Sequence, residues 1–229
     1  MSIKRIKFNI PGFDALVPEG VPESDLILLT GFAGTGKTIF GLHFLVSSPE
    51  PGIFVSFEES LDQIRETAET FGWDLKKMED ENKLRLVKYD PFRIEDIMDI
   101  IQNSIKEINA RRIVIDSVSA LGMHIGHKND IRIMMQQLNN LIRKNKCTGI
   151  VISEIPNIRE GISRFGIEEF VTDGIILLHR VLKNGEFHRV LTILKMRATE
   201  HSRKLHPYDI TSQGFFVYHD KVFETDSII

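Results

Sequence analysis

The sequence predicts an α/β fold with a mainly parallel sheet flanked by helices and an antiparallel β extension at its C-terminal end. The first observation is a set of short apolar runs typical of strands in a sheet covered on both faces: residues 26–29, 53–57, 84–87, 113–115 and 150–152. The second is a set of amphipathic stretches of helix length between these runs: residues 37–46, 61–71, 94–109 and 130–144. Strands that alternate with helices indicate crossover connections, and therefore parallel strands.

The third observation concerns the last third of the chain, where this alternation stops. Apolar residues 174–178 and 190–194 lie on either side of Asn184-Gly185, a dipeptide typical of a tight hairpin turn. A further strand pair is predicted at residues 208–211 and 215–218. These four segments predict the antiparallel extension.

Length and composition indicate one globular domain over residues 1–229. Apolar residues make up 42% of the chain and charged residues 27%, which is typical of a soluble globule rather than a disordered segment. The net charge of −3 argues against a dedicated polyanion binder. The single cysteine, Cys147, excludes an intrachain disulfide, and no run approaches the ~18 apolar residues of a membrane helix. We therefore expect a cytoplasmic protein.

A phosphate-loop motif follows the first predicted strand. The pattern G-x-x-x-x-G-K-[ST] fits eight consecutive residues that precede Ile39: Gly31, Phe32, Ala33, Gly34, Thr35, Gly36, Lys37 and Thr38. Glycines let the backbone N–H groups curl around phosphate oxygens, and the following helix adds the positive end of its dipole. In such a loop the lysine reaches the β- and γ-phosphates, and the threonine hydroxyl ligates Mg²⁺.

Three carboxylates are predicted at the same edge of the sheet. Asp116 ends the apolar run 113–115, where it can hold a water of the Mg²⁺ shell, although an aspartate there is also typical of a helix cap or turn. Glu58 and Glu59 follow run 53–57 and precede Ser60, which forms a capping-box pattern with Gln63. The glutamates either activate an attacking water or complement the dipole of the next helix.

A cationic row is predicted farther along the chain. Its members alternate with Leu194, Met196 and Ala198, so on a strand they would share one face: Lys195, Arg197, Thr199 and His201. Such a row suits a phosphate, or it forms a solvated edge. Because it belongs to the extension, we expect it to serve a neighbouring subunit.

Together these motifs resemble the KaiC-like branch of the RecA superfamily of ATPases, over nearly the whole chain. The segments that carry the resemblance are residues 12–14, 20–22, 31–38, 56–60, 112–117, 166–173 and 193–201. The resemblance implies a RecA-like P-loop NTPase core, use of ATP and Mg²⁺, paired catalytic glutamates at Glu58 and Glu59, and assembly into a ring, usually a hexamer. It also implies that the cationic row, with Arg203 as a further candidate, contacts ATP bound to the adjacent subunit. Ala198 departs from the family, which usually has glycine at this position.

Two other functions fit the sequence. A recombinase-like ATPase would bind DNA through the segments 120–129 and 155–168, where Arg159 and Arg164 are offset by Glu160, Glu168 and Glu169. An ATP-gated scaffold without catalysis would instead recruit a protein partner. The glutamate pair favours a slow Mg²⁺-dependent ATPase that acts as a nucleotide-driven oligomeric switch.

Overall fold

A computed structural model describes residues 3–89, 96–123, 125, 127–155 and 161–225. In chain order the strands are β1 (Arg5–Ile6), β2 (Val21–Pro22), β3 (Leu26–Gly31), β4 (Gly52–Ser56), β5 (Leu84–Lys88), β6 (Arg112–Asp116), β7 (Thr148–Glu154), β8 (Gly174–Lys183), β9 (Glu186–Met196), β10 (His206–Thr211) and β11 (Gly214–Val217). The helices are α1 (Lys37–Val46), α2 (Leu61–Glu69), α3 (Leu75–Asp80), α4 (Ile97–Ile108), α5 (Val118–Gly122), α6 (Lys128–Lys144) and α7 (Glu168–Val171).

The main sheet has a parallel part and an antiparallel part. Among the described residues, nine strands form it in the order β11-β10-β9-β8-β3-β7-β6-β4-β5. All neighbours from β8 through β3 to β5 pair in parallel, whereas β8, β9, β10 and β11 pair antiparallel. The predicted fold class is therefore confirmed, including the C-terminal antiparallel extension.

Hydrophobic cores cover both faces of this sheet, which explains the continuous apolar runs of its central strands. On one face, Phe40 and Phe44 of α1 pack with Phe215 of β11 and with α2 and α3. On the other face, α4, α5 and α6 cover the sheet, with Met135 among the fully buried residues. The two faces alternate along β3, as expected for a strand buried on both sides.

Several local predictions are confirmed. Helix α1 has the predicted bounds, and Ser60 and Gln63 form both hydrogen bonds of the capping box at the start of α2. Asn184 and Gly185 both have positive φ, as a type I′ hairpin turn requires. The predicted start of α4 at residue 94 lies outside the described residues. Five short elements have no counterpart in the sequence pattern, because they are too short to show a period: β1, β2, α3, α5 and α7.

None of the helices in the described ranges is both long enough and apolar enough to cross a membrane.

Candidate active site

The phosphate-loop segment connects β3 to α1 at the carboxyl edge of the sheet. Gly34 and Gly36 adopt φ values of 74° and 87°, in the left-handed region that favours glycine. A Cβ atom on Gly36 would lie 2.5 Å from Cδ1 of Ile210, so a larger residue there would displace the Ile210 side chain. The Thr35 hydroxyl donates to the carbonyl oxygen of Phe32 at 2.8 Å, which closes the loop on itself. The segment therefore has the curled backbone that presents N–H groups to an anion.

Lys37 points back along this loop from the first position of α1. Its Nζ donates to the carbonyl oxygens of Gly31 and Phe32, at 3.0 and 2.9 Å. Burial lowers the pKa of the Lys37 ammonium. Three nearby carboxylates oppose this shift: those of Glu154, Asp116 and Glu58. The ammonium thus lies against the backbone of the loop, at the edge of the sheet where the three carboxylates converge.

Thr38 and Asp116 meet across the sheet edge. The Thr38 hydroxyl donates to Oδ2 of Asp116 at 2.6 Å, although 78 residues separate the two along the chain. Burial raises the pKa of Asp116 to about 6. The hydrogen bond from Thr38 opposes this rise, and the negative charges of Glu59 and Glu58 add to it. Hydroxyl and carboxylate oxygens are the hard donors that Mg²⁺ prefers, so this pair fits a magnesium ion.

A metal at this pair would need further ligands from outside the protein. In the described part of the chain, no group of three or more His, Cys, Asp and Glu side chains is arranged to hold a metal. Mg²⁺ usually binds through one or two protein groups together with phosphate oxygens and water. The donor set at Thr38 and Asp116 therefore fits a metal that arrives with a nucleotide.

A cavity of about 540 Å³ joins these groups to the predicted glutamates. Its wall includes Lys37, Thr38 and Asp116 together with Glu58 and Glu59. The strands explain the convergence, because Ser56 at the end of β4 lies directly beside Asp116 at the end of β6. The structure thus brings the predicted loop, metal pair and glutamates to one place.

Several residues around this site were not among the predicted site residues. Glu154 lies at the end of β7, beside Gly31 in the sheet register, and lines the cavity. Arg189 and Ile210, from the antiparallel extension, line it too. The hydroxyl of Tyr208 donates to the carbonyl oxygen of Thr35 at 2.7 Å and so holds the loop from β10. No local motif marks Arg189, Tyr208 and Ile210, because the return of the extension past the loop brings them there; Glu154 instead ends the parallel strand β7 next to β3.

The cationic row does not form the predicted strand face, so that prediction is wrong. Strand β9 ends at Met196, and Arg197, Thr199 and His201 lie beyond it. A register shift against β8 also leaves Leu194 without a partner just before Lys195. The chain then turns at Ala198, whose φ is 48°. We call residues 195–201 the cationic segment.

The cationic segment makes its contacts outside the cavity. Lys195 donates to the carbonyl oxygen of Thr172 at 2.6 Å, and Arg197 forms an ion pair with Asp173 at 3.1 Å. The Thr199 hydroxyl donates to the Arg197 carbonyl oxygen and accepts from Nη1 of Arg5, and Nδ1 of His201 lies 3.0 Å from the Ser202 carbonyl oxygen. None of the four predicted residues lines the cavity of its own chain.

The predicted DNA-binding surface is described only in part. Residues 124, 126 and 156–160, which include Arg159 and Glu160, lie outside the described residues. Arg164 is exposed, whereas Glu168 is buried and accepts hydrogen bonds from Ser153 and Ser163. The described contacts do not favour a nucleic-acid interface here, and DNA binding stays a hypothesis.

Comparison with known proteins places the chain in a family. A family model described as "ATPase: KaiC" matches residues 6–222. A "UPF0273 protein" of Methanocaldococcus jannaschii is 39% identical over 243 residues, which cover 97% of this chain and 99% of that protein. A similar "UPF0273 protein" of Pyrococcus furiosus is 37% identical, over 99% of this chain and 98% of that protein.

Two further comparisons connect the chain to KaiC itself and to a solved structure. The circadian clock oscillator protein KaiC of Synechococcus elongatus is 32% identical over 95% of this chain, but the match covers only 44% of that protein. The crystal structure of a KaiC-like protein from Pyrococcus horikoshii superimposes with a TM-score of 0.87 at 38% identity, over 95% of this chain and all of the other. On the extent of these matches, the chain belongs to the KaiC ATPase family.

Proposed function

We propose that this protein is a Mg²⁺-dependent ATPase of low turnover that assembles into a ring and uses hydrolysis to switch its conformation. The observation that carries the proposal is the convergence of a curled phosphate loop, the Thr38–Asp116 pair and two glutamates around one cavity of about 540 Å³. A cavity of this size is within the range of small-molecule sites. A loop of N–H groups at a helix N-terminus, with a lysine in its mouth, selects a polyphosphate.

In the proposed reaction, the loop and Lys37 hold the phosphates of ATP. Thr38 and Asp116 would hold Mg²⁺, which neutralises charge on the β- and γ-phosphate oxygens when bound. Glu58, with Glu59 as a second candidate, orients a water molecule and takes its proton as the water oxygen attacks the γ-phosphorus. The bond from that phosphorus to the bridging oxygen breaks, and ADP and inorganic phosphate leave.

The assembly part of the proposal has separate support. Lys195 and Arg197 lie outside their own cavity, so they can act on a nucleotide only in a neighbouring copy. Two apolar side chains next to them are exposed, Phe170 by 65% and Leu194 by 46%. Exposed large apolar groups beside a functional cluster are typical of a protein interface. Through this interface Lys195 and Arg197 would stabilise the charge that develops on a neighbour's γ-phosphoryl group.

The test compares nucleotide binding with phosphate release in two loop-site variants. Lys37→Ala removes the cation in the loop and is expected to abolish ATP binding. Glu58→Gln keeps the shape of the cavity but removes the base, so we expect ATP binding to persist and phosphate release to fall at least about 100-fold. Calorimetry measures the binding and a phosphate-release assay measures the turnover.

Glu66→Gln is the matched control, because Glu66 is an exposed carboxylate on α2 that does not line the cavity. It is expected to retain full phosphate release. Hydrolysis by Glu58→Gln at the parent rate would refute the base assignment. Tight ATP binding by the parent without turnover would instead favour a non-catalytic scaffold.

A further inference from the structure

The cationic segment is held in place by two groups to which nothing so far assigns a role. One is Asp173, which follows α7 and is fully buried. The other is Arg5 of β1. Both contact the backbone or side chains of residues 197–199, at the point where the strand ends and the chain turns.

Asp173 binds the segment with both its main chain and its side chain. Its Oδ1 accepts from Nη1 of Arg197 at 3.1 Å and from Nη2 of Arg143 at 2.8 Å. Its Oδ2 accepts from the backbone N–H of Leu26 at 3.1 Å, and its carbonyl oxygen accepts from the backbone N–H of Arg197 at 3.0 Å. A fully buried carboxylate with this many partners is fixed in position, so it fixes the arginine that it binds.

Arg5 holds the turn through two further hydrogen bonds. Its Nη2 donates to the carbonyl oxygen of Ala198 at 2.6 Å, and its Nη1 donates to the Thr199 hydroxyl at 2.8 Å. The guanidinium is in turn held by the carbonyl oxygen of Gly20 and by Glu19. This side chain is only 19% exposed, so it is ordered by the contacts that it makes.

The ion pair with Asp173 leaves most of Arg197 available. The Arg197 side chain is 54% exposed, and only Nη1 has a partner among the described residues. Arginine carries five N–H donors in a rigid fork, so the other donors can reach an anion outside the chain. Holding one edge of the fork removes the rotamer freedom that the side chain would otherwise lose on meeting a phosphate.

We propose that Asp173 and Arg5 are positioning residues for trans catalysis: Asp173 aims Arg197, and Arg5 fixes the turn at Ala198 and Thr199. The proposal rests on the function proposed above, in which the cationic segment completes the site of a neighbouring copy. Neither residue touches the nucleotide. Each acts by holding the segment in the position from which it reaches the adjacent subunit.

The first test is the kinetics of Asp173→Asn. The amide oxygen still accepts from Leu26, but the charge that holds Arg197 is lost. We expect turnover of the assembled protein to fall by about 10- to 100-fold, with ATP affinity unchanged because the phosphate loop is intact. Arg132→Gln is the matched control: Arg132 is an exposed cation on α6, the helix that carries Arg143, and its side chain forms no hydrogen bond with Asp173 or the cationic segment among the described contacts. It is expected to keep its turnover.

The second test is subunit mixing, which separates positioning from a general structural defect. Lys37→Ala subunits cannot bind ATP themselves but carry an intact cationic segment. When they are mixed with Asp173→Asn subunits, a mutant site whose neighbour is a Lys37→Ala subunit is complete, so phosphate release should recover. A variant whose own site is damaged would not recover on mixing.

The mixing of Arg197→Ala with Lys37→Ala subunits is the reference for the proposed function. If that mixture stays inactive, trans completion is wrong and this inference falls with it. If that mixture recovers, trans completion stands. In that case the role of Asp173 is overturned by either of two results: Asp173→Asn alone keeps full turnover, or its turnover is not restored by mixing with Lys37→Ala subunits. Should Asp173→Asn fail to fold, Arg5→Gln decides the question in the same two assays: recovery on mixing supports the inference, and unchanged turnover overturns it.

Discussion

The phosphate loop and the cationic segment both have groups suited to phosphate oxygens, but they are held in place by different kinds of contact. The loop is organised mainly by its own sequence, with glycines at positive φ and a threonine that bonds three residues back. The segment is organised by distant groups: Arg5 binds Thr199 across 194 residues of chain, and Asp173 binds Arg197 across 24. The loop is therefore a local motif, whereas the conformation of the segment depends on the folded extension around it.

This difference indicates which region of the protein regulation can act on. The loop is held mainly by contacts within its own segment, with one hydrogen bond from Tyr208 of the extension. A segment held by long-range contacts can lose its position when one holding group changes, without damage to the nucleotide site of the same chain. Binding and turnover are thus separable, because the two regions that support them depend on different contacts.

Dilution should have the largest effect, because it should lower phosphate release without lowering ATP binding. The loop lies within one chain, so we expect ATP binding to persist in a monomer. The cationic segment acts on a neighbour, so phosphate release per subunit should fall toward zero once dilution dissociates the assembly. Light scattering with and without Mg-ATP gives the assembly state, and phosphate release over the same concentration range gives the turnover. A monomer that hydrolyses ATP as fast as the oligomer would refute trans completion.

The loop site was largely predictable from the sequence, and the segment was not. Lys37, Thr38 and Asp116 were found because a glycine-rich motif and a strand-end aspartate are local patterns, and parallel strands bring their carboxyl ends together. The alternation of residues 194–201 would place the cationic row on one face if the strand continued, but β9 ends at Met196, after a bulge and before a residue at positive φ. Neither Arg5 nor Asp173 lies in a pattern that points to the segment, because only the tertiary fold brings them there.

Asp25, whose carboxylate interacts with that of Asp173, should make the free energy of unfolding depend on pH. Burial, with a smaller contribution from the charge of Asp173, raises the pKa of Asp25 from 3.8 to about 7, and Oδ2 of Asp25 has no partner among the described residues. Three arginines face the pair and oppose the shift: Arg143, Arg197 and Arg5. Between about pH 4 and pH 7 the folded protein therefore binds a proton that the unfolded chain releases. The resulting stabilisation is complete below pH 4 and is lost as the pH rises through 7.

Asp25→Asn tests this dependence. The amide is neutral at every pH, so the variant should lose less stability than the parent between pH 5 and pH 8, and it should be the more stable of the two at pH 8. Urea unfolding of both proteins at the two pH values gives the difference in the free energy of unfolding. Asp80→Asn, at an exposed position on α3, is the control: it keeps Asp25, so its stability should depend on pH as that of the parent does. An equal loss of stability in parent and Asp25→Asn would contradict the assignment.

Ala198→Gly should give the smallest effect, and it sharpens the contrast between the regions. Ala198 has φ 48° and is exposed, so its methyl group causes backbone strain without contributing core packing. An L-residue in this conformation costs roughly 1–2 kcal/mol relative to glycine, while glycine loses about 0.4–1 kcal/mol through the greater freedom of the unfolded chain. We therefore expect the glycine variant to be more stable by about 0.5–1 kcal/mol, measured by urea unfolding. Ala68→Gly, inside α2 and buried, is the control and should destabilise by about 1 kcal/mol or more.

The Ala198→Gly variant should also keep its turnover, because Arg5 binds the carbonyl oxygen of residue 198, which glycine retains. A loss of turnover would mean that the alanine itself stiffens the segment that acts on the neighbouring subunit.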